Sequence, residues 1–394
     1  MMRLFPGFAL WATLLLVPAM GRSVLAEAAT SSTTNSQSVT FTQLSPRQTI
    51  FSWTTSSCGG RLIPDGPPRA YVRADGKLAV VSDDGNNWEM MGPDFLDLKV
   101  SCALSANQAY NWSVRGSLII EGLYTEDGKT VFGISSEDMT RVTTKAGCVN
   151  RGTGNCWLNS LALEASITMG STWGPVSVSN GDVAAITLIP ENNWKNRIGF
   201  LTSSNIIKKD GYYYAFTYAQ NGYTGSAWNC LIRTKALAVP SSWLGWDGKA
   251  FTVSLQPRSG NTNIPCAAVG VGQLFDPVRS VTLVTSKGLY VAVNQTRLKL
   301  QGDAASVPGA YYSTSPDLIT WSAPKRLMML PAVAKVDSVT EADSYPVLID
   351  PLSKSRNFET IDSTTPLLVF VVNHLASGNG TMNRDVVAVP LRLQ

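Results

Sequence analysis

The sequence has 394 residues, of which 44% are hydrophobic and 15% charged, and its formal net charge is +4. Its basic residues are scattered rather than clustered on one stripe, which argues against a nucleic-acid-binding protein. No apolar stretch after the first residues approaches the length needed to cross a membrane, so no membrane span is predicted.

The chain begins with the three parts of a secretory signal peptide. These are Arg3, the apolar stretch Phe8–Val17 and the small-residue cleavage site Val24-Leu25-Ala26. Cleavage after residue 26 would remove two arginines and no acid, which lowers the net charge from +4 to +2. Residues 27–38 are rich in Ser, Thr and Ala and are predicted to be a disordered leader. We therefore expect a secreted or periplasmic protein with one domain over residues 39–394.

Six cysteines follow the signal, and in an exported chain they predict three disulfides. Cys148 and Cys156 bracket a short loop rich in Gly, Asn and Arg, which makes them the first predicted pair. Proximity within the repeats described below would pair Cys58 with Cys102, and Cys230 with Cys266. A zinc site is disfavoured because there is no Cys-x-x-Cys and one histidine in all, so no metal is predicted.

Short strand signals follow one another along the whole chain, punctuated by Gly and Pro and without helical segments between them. So many strands predict an all-β protein with a closed or radially repeated architecture, which hides the strand edges. The predicted strands are 39–43, 70–73, 78–82, 118–124, 131–134, 158–165, 198–201, 212–218, 230–234, 281–284, 289–293, 310–315, 345–349, 367–372 and 385–390.

The strands group into repeats that share one internal order. Four repeats have a tight turn between their first strands, of the Asp-Gly or Lys-Gly type that is typical of hairpins, and the last has a longer hairpin from Leu348 to Leu368. Most repeats end in a polar turn that carries a Trp, as in AYYSTSPDLITWSAP at 310–324, where Ser313, Asp317 and Thr320 are expected to bond the turn and Trp321 to pack beneath it. In the turn at 234–246, Trp246 is expected to take this role. The repeats are predicted at 65–100, 117–176, 197–251, 266–330 and 343–391.

Five repeats predict a five-bladed β-propeller. An open last blade would leave an unpaired edge, so the N-terminal strand Val39–Gln43 is expected to join the final sheet and close the ring.

Four segments carry a resemblance to a known family: YTEDGKTVFGI, SSNIIKKDGYYYAF, AYYSTSPDLITWSAP and YPVLIDPLSKSRNFET. Together they resemble the five-bladed β-propeller glycoside hydrolases, a group that includes arabinanases, xylosidases, fructan hydrolases and D-arabinan-cleaving enzymes. The resemblance covers Asp65 to the C-terminus and implies a secreted hydrolase of a plant or microbial polysaccharide or oligosaccharide. It also implies a general acid at the entrance of the third blade. Here that entrance, residues 197–206, reads RIGFLTSSNI without an acid, so another blade would have to supply it.

Carboxylates are the candidate catalytic groups, because glycosidic cleavage needs one protonated acid and one ionised base or nucleophile. Asp65 and Asp343 precede predicted inner strands, and Glu121 lies inside one. We expect Asp65 to be the ionised group, with Arg69 beside it, Glu121 to be the acid, and Asp343 to be the reserve acid. The alternatives are that Asp65 is a turn residue, that Glu121 is tied to an arginine, and that Asp343 and Glu341 are solvated loop acids.

Arg69, Trp112, Trp157 and Tyr345 are the candidates for binding a sugar, since flat rings stack on sugar faces. His374 is the sole histidine and is interpreted as structural, and no dinucleotide or phosphate motif is present, so no cofactor is predicted. The expected partner is a carbohydrate, and the expected state is a monomer. Two alternatives to the hydrolase remain: a non-catalytic propeller that binds a glycan or a surface partner, and a sialidase-type enzyme.

Overall fold

Strands make up nearly all the regular structure of this chain, as seen in a computed structural model. The structure describes residues 38–82, 88–100, 102, 117–138, 158–177, 181–185, 197–256, 264, 266–331 and 339–394, which belong to one compact unit. Within these ranges the helices are α1 (Trp53–Ser56) and a three-residue 3-10 turn at Pro240–Ser242. The prediction of an all-β chain is confirmed. None of the helices in the described part of the chain is long and apolar enough to span a bilayer.

The first repeat forms a four-stranded antiparallel sheet with sequential order. Its buried residues include Ala79, Val80 and Met90, which are fully enclosed. The strands are β3 (Arg69–Val72), β4 (Leu78–Val81), β5 (Glu89–Gly92) and β6 (Lys99–Val100).

The second and third repeats form one continuous sheet of eleven strands. Its second-repeat strands are β7 (Ser117–Tyr124), β8 (Val131–Asp138), β9 (Leu158–Ser166), β10 (Gly174–Pro175) and β11 (Asp182–Ala184). Its third-repeat strands are β12 (Ile198–Ser203), β13 (Ile207–Lys209), β14 (Tyr212–Gln220), β15 (Ala227–Thr234), β16 (Leu244–Trp246) and β17 (Phe251–Ser254).

A short parallel pairing joins the two halves of this sheet. Ile198 of β12 lies opposite Leu158 of β9, and Gly199 lies opposite Asn159. Gly199 has a φ of +109°, and a Cβ placed there would lie 2.0 Å from the carbonyl oxygen of Asn159. Only glycine allows this approach, so a single residue type makes the junction possible.

The fourth repeat forms an antiparallel sheet to which one later strand is added. This strand, β23 (Thr360–Ile361), pairs in parallel with β18 (Val278–Val284). The strands are β18 (Val278–Val284), β19 (Leu289–Leu298), β20 (Val307–Ser315), β21 (Lys325–Met329) and β23 (Thr360–Ile361).

The last sheet combines the C-terminal strands with the N-terminal ones, as predicted. Strand β1 (Phe41–Gln43) pairs antiparallel with β25 (Asn379–Leu393), so that Phe41 lies opposite Leu393. Strand β2 (Gln48–Phe51) pairs with residues 386–388 of the same strand. Val39 is 1% exposed and its carbonyl accepts a hydrogen bond from the Tyr312 hydroxyl at 3.0 Å. The strands are β22 (Glu341–Ile349), β24 (Leu367–Ala376), β25 (Asn379–Leu393), β1 (Phe41–Gln43) and β2 (Gln48–Phe51).

The predicted hairpin turns are confirmed, and the Trp turns need two corrections. Asp210 and Gly211 both have positive φ between β13 and β14, as a tight turn requires. In the turn after β20, Ser315 and Asp317 accept the turn amides, whereas Ser313 donates to the carbonyl of Gln273 in another segment. The prediction for Ser313 is therefore wrong, because Ser315, one pleat nearer the turn on the same face of the strand, takes this role and Ser313 lies too far back along β20.

The second correction concerns the Trp of the third repeat. Trp243 is fully buried, whereas Trp246, which was expected to fill this place, is half-buried and lies against Phe251 with ring centroids 5.0 Å apart. Trp321 is buried as expected, and the tryptophans of the first two repeats, Trp88 and Trp173, are buried as well.

Two of the three predicted disulfides are present. Cys58 and Cys102 have Cα atoms 5.4 Å apart, and the Cα atoms of Cys230 and Cys266 are 6.0 Å apart. The predicted pair Cys148–Cys156 lies outside the described residues.

The inner strands of all four sheets line one small cavity of about 20 Å³. Its lining includes Ala70 of β3, Leu123 of β7, Ser280 of β18 and Val347 of β22, together with Asn205 just after β12. These strands therefore run together at the middle of the molecule.

The segment 355–361 closes one end of this cavity. The Arg356 carbonyl accepts the Val72 N–H at 2.8 Å, and the Asn357 side chain bonds both the N–H and the carbonyl of Thr125. Glu359 accepts the Leu283 N–H through its carbonyl. One segment therefore ties the first, second and fourth repeats together beside the cavity.

Candidate active site

Arg69 lies at the centre of the molecule and donates hydrogen bonds to three backbone carbonyls. It is 3% exposed, and its Nε donates to the carbonyl of Glu121, while its guanidinium also reaches the carbonyls of Ser203 at 3.2 Å and Arg279 at 2.8 Å. Burial lowers the pKa of Arg69 to about 9, which leaves it charged at neutral pH. One side chain of β3 thus holds the backbones of β7, β12 and β18 together.

Glu121 lies in the middle of β7 and is 6% exposed. One carboxylate oxygen accepts the Ser203 N–H at 2.9 Å, and the Thr202 hydroxyl supplies a further hydrogen bond. Burial raises the pKa of Glu121 to about 7, against the opposing effects of Arg279, these hydrogen bonds and Arg69. The carboxyl is therefore poised to hold or release a proton near neutral pH.

Asp65 lies in the loop before β3 and is the more accessible acid, with a third of its side chain exposed. Its Oδ1 accepts a hydrogen bond from the Tyr345 hydroxyl at 2.8 Å and forms an ion pair with Arg384. Arg69 was expected to provide the nearby positive charge. Arg384 provides it instead, because Arg69 turns inward to the three backbone carbonyls.

Tyr345 has an unusual backbone conformation that aims its ring at Asp65. Its φ is +58°, inside strand β22, where the pairing with β24 is interrupted by a bulge between Ser344 and Val347. Non-glycine residues rarely adopt this conformation, and such residues are concentrated at functional sites. Burial and the charge of Asp65 raise the pKa of the Tyr345 hydroxyl, so it remains a hydrogen-bond donor.

Arg279 lies beside this tyrosine and reaches toward Glu121. Its guanidinium is 5.0 Å from the centre of the Tyr345 ring and donates to the Thr202 hydroxyl at 3.2 Å. Since Thr202 also bonds Glu121, the hydroxyl links the arginine to the buried acid. The arrangement is therefore continuous from Asp65 through Tyr345 and Arg279 to Glu121.

Asp343 lies two residues before Tyr345 and is 5% exposed. The alternative in which Asp343 is a solvated loop acid is wrong, since it lies inside β22 rather than before it. Burial raises its pKa to about 6, opposed by Arg47, whose guanidinium is 3.9 Å from Oδ1. Glu341 takes the closer contact with Arg47, at 2.6 Å.

His374 lies on β24, opposite Glu341 of β22, and its contacts are structural. Its Nε2 is 2.9 Å from Asp385 Oδ2, and Asp385 Oδ1 accepts the Trp53 N–H at 2.8 Å. Its Nδ1 is 3.7 Å from Glu341. The histidine thus connects helix α1 and β25 to β22.

The structure brings Asp65, Glu121, Arg69 and Tyr345 into one continuous set of contacts and buries Asp343 on the same strand as Tyr345. Trp112 and Trp157, predicted to bind sugar, lie outside the described residues. Among the described residues, no group of three or more His, Cys, Asp or Glu side chains is arranged to hold a metal ion.

Sequence analysis missed Arg279 and Arg384. Arg279 carries a charge inside the apolar strand Val278–Val284, which is the criterion that singled out Glu121, so this signal was present. Arg384 has no comparable signal, because its partner Asp65 is remote in sequence.

In chemical terms, the site offers one accessible carboxylate paired with an arginine and one buried carboxyl with a raised pKa. Acid–base catalysis by two carboxyl groups needs an accessible carboxylate and a second carboxyl that can hold a proton near neutral pH.

No family model and no curated protein matches the chain. Similar solved structures are a glycosyl hydrolase from Bacteroides ovatus (10% identity, covering 84% of this chain and 83% of that one, TM-score 0.44) and an α-L-arabinanase from Cellvibrio cellulosa (11%, 82% and 91%, 0.44). A third is an α-L-arabinofuranosidase from Podospora anserina in complex with cellotriose (12%, 88% and 95%, 0.45). These similar structures are all glycoside hydrolases. With TM-scores below 0.5, they decide neither the fold nor the activity of this chain.

Proposed function

We propose that the protein is an exported five-bladed β-propeller that hydrolyses a glycan at the end of its central axis. The observation that carries the proposal is the link from Asp65 through Tyr345 and Arg279 to Glu121, which joins an ion-paired carboxylate to a buried one. The convergence of inner strands from all four sheets on one cavity supports the propeller, with the eleven-stranded sheet counted as two blades.

In this proposal Asp65 is the ionised base or nucleophile. Arg384 and the Tyr345 hydroxyl both contact its carboxylate, and its side chain is accessible to a ligand. Glu121 supplies the proton or tunes the group that does, with Asp343 in reserve. Since the acid must be protonated to act, turnover should fall as the pH rises through about 7, the raised pKa of Glu121.

Export is supported by the N-terminal signal pattern and by two disulfides in the described residues. We propose that residues 1–26 are removed, that 27–38 form a leader, and that 39–394 act as one monomeric domain.

The decisive experiment is a screen of the purified protein against plant and microbial polysaccharides, with release of reducing ends as the readout. Asp65→Asn and Glu121→Gln should each lower turnover by at least about a thousandfold, as loss of a catalytic group does. Asp210→Asn, in the exposed hairpin turn between β13 and β14, is the matched control and should keep full activity. Retained activity in both site variants would contradict the proposal.

Glycan binding without cleavage is the second candidate. It is favoured by the burial of Glu121 and Asp343 and by the absence of an acid in RIGFLTSSNI at 197–206. The same panel decides between the two when binding is measured beside cleavage. A polysaccharide that binds but is not shortened would favour the binding protein.

A further inference from the structure

Arg279 is a cation at the candidate site, and no carboxylate of the described part of the chain is in contact with it. It is half-buried on β18. Among the described residues its guanidinium makes one hydrogen bond, to Thr202, and no ion pair within 4.0 Å. A partly desolvated guanidinium that makes no contact with a carboxylate of the described residues favours an anion as its next partner.

The charged groups around Arg279 already have partners. Asp65 is matched by Arg384, and Glu121 accepts hydrogen bonds from the Ser203 amide and Thr202 while its raised pKa keeps much of it protonated at neutral pH. Arg69, which adds a further positive charge, is held by backbone carbonyls. The centre therefore contains three guanidinium groups and two carboxyl groups, so positive charge is in excess.

Two other acids lie in the neighbourhood and do not cancel this excess. Asp276 is exposed; burial and the charge of Asp276 raise the pKa of the Tyr218 hydroxyl, while the charge of Arg279 lowers it. Within the described residues Asp276 forms no ion pair with Arg279. Asp343 lies beside Arg47.

A second donor points to a ligand. The Nε of Arg384 is buried and has no hydrogen-bond partner among the described residues. The same side chain holds Asp65 through a different nitrogen, so an acceptor brought by a ligand could satisfy Nε without breaking that ion pair.

We propose that the site receives a carboxylate-bearing sugar, with Arg279 as the group that binds its carboxylate. The planar fork of a guanidinium matches a carboxylate in a bidentate way. The rings of Tyr218 and Tyr345, both half-buried beside Arg279, provide apolar surface for the sugar ring. The choice of a sugar rests on the proposed function, whereas the choice of an anion rests on the charge balance alone.

The test is a binding titration of the full mature chain with D-glucuronate and D-galacturonate, and with D-glucose and D-galactose as neutral counterparts. At least one uronate should bind about tenfold or more tightly than its neutral counterpart, and its affinity should fall with added salt. Arg279→Met should lower uronate affinity by about tenfold or more and leave neutral-sugar affinity unchanged. Arg297→Met, on the exposed end of β19, is the control and should bind like the unmodified protein.

Arg279→Lys guards against a folding defect, since it keeps the charge without the fork and should bind uronate with intermediate affinity. Equal affinities for uronate and neutral sugar, unchanged uronate binding in Arg279→Met, or no uronate binding at all would each overturn the inference. Cleavage of a neutral polysaccharide with no uronate binding would overturn it while leaving the proposed function intact. Uronate binding without cleavage of any polymer would overturn the proposed function while leaving the inference intact.

Discussion

The side chain of Gln295 holds Tyr345 in its left-handed backbone conformation. Its Oε1 accepts the Tyr345 N–H at 3.1 Å, and its Nε2 donates to the carbonyl of Asp343 at 2.6 Å. One amide group on β19 therefore satisfies a backbone acceptor just before the bulge of β22, at Asp343, and a backbone donor within it, at Tyr345. These two hydrogen bonds from a neighbouring sheet offset the backbone strain at Tyr345. The conformation they hold lets the Tyr345 hydroxyl reach Asp65.

Replacing this amide should destabilise the protein. Gln295→Leu removes both hydrogen bonds and leaves two backbone groups without partners, so we expect a loss of about 2 kcal/mol in the free energy of unfolding. Urea denaturation would measure it. Gln301→Leu, in the exposed turn after β19, is the control and should change little. An equal effect of the two substitutions would show that Gln295 does not support the bulge.

Glu121 should make stability depend on pH. Its pKa rises from 4.5 to about 7 on folding, so the folded state binds the proton more tightly and the stability it contributes is lost as pH rises through that range. The unfolding free energy of the unmodified protein relative to Glu121→Gln should fall by about 2.5 kcal/mol between pH 5 and pH 8. Other buried acids titrate in the same range, and taking the difference between the two proteins removes their contribution.

The comparison requires urea denaturation of both proteins at both pH values. Asp97→Asn changes an exposed acid and should follow the pH dependence of the unmodified protein. A gap between the unmodified protein and Glu121→Gln that stays constant from pH 5 to pH 8 would mean that Glu121 is ionised throughout.

Gly199→Ala should open the junction between β9 and β12. The new methyl would lie 2.0 Å from the Asn159 carbonyl oxygen, in a backbone conformation that alanine rarely adopts. We expect a loss of roughly 2–4 kcal/mol in thermal or urea unfolding. Gly174→Ala, where nothing lies within 4 Å of the added carbon, is the control. Similar stabilities for the two variants would show that the junction relaxes freely.

Closure by the N-terminal strand can be tested at one residue. Val39→Asp places a charge at a position that is 1% exposed and packed with the C-terminal strands, so we expect a loss of about 3 kcal/mol. Ser38→Asp adds the same charge at the exposed neighbouring position and should be almost neutral. If Val39→Asp unfolded at the same urea concentration as the unmodified protein, the strand would contribute nothing to stability.

The sequence by itself determined fifteen of the strands, the hairpin turns between them and two disulfides. Alternation of apolar and polar residues and the positive φ of turns such as Asp210-Gly211 are local properties, since they depend on near neighbours in the chain. The acid inside an apolar strand, Glu121, was visible for the same reason, because burial follows from the residues on either side of it. The N-terminal strand could also be assigned to the last sheet, since a ring of repeats has one open edge.

Only the tertiary structure decided which charges meet. Arg384 reaches Asp65 and Gln295 reaches Tyr345 across large separations in the chain, and Arg69 turns to backbone carbonyls instead of the nearby acid. The union of two repeats in one sheet likewise depends on the approach of Gly199 to Asn159. Such contacts depend on how separate sheets approach one another, because the electrostatic energy of a side chain is set by distance and burial and not by position in the sequence.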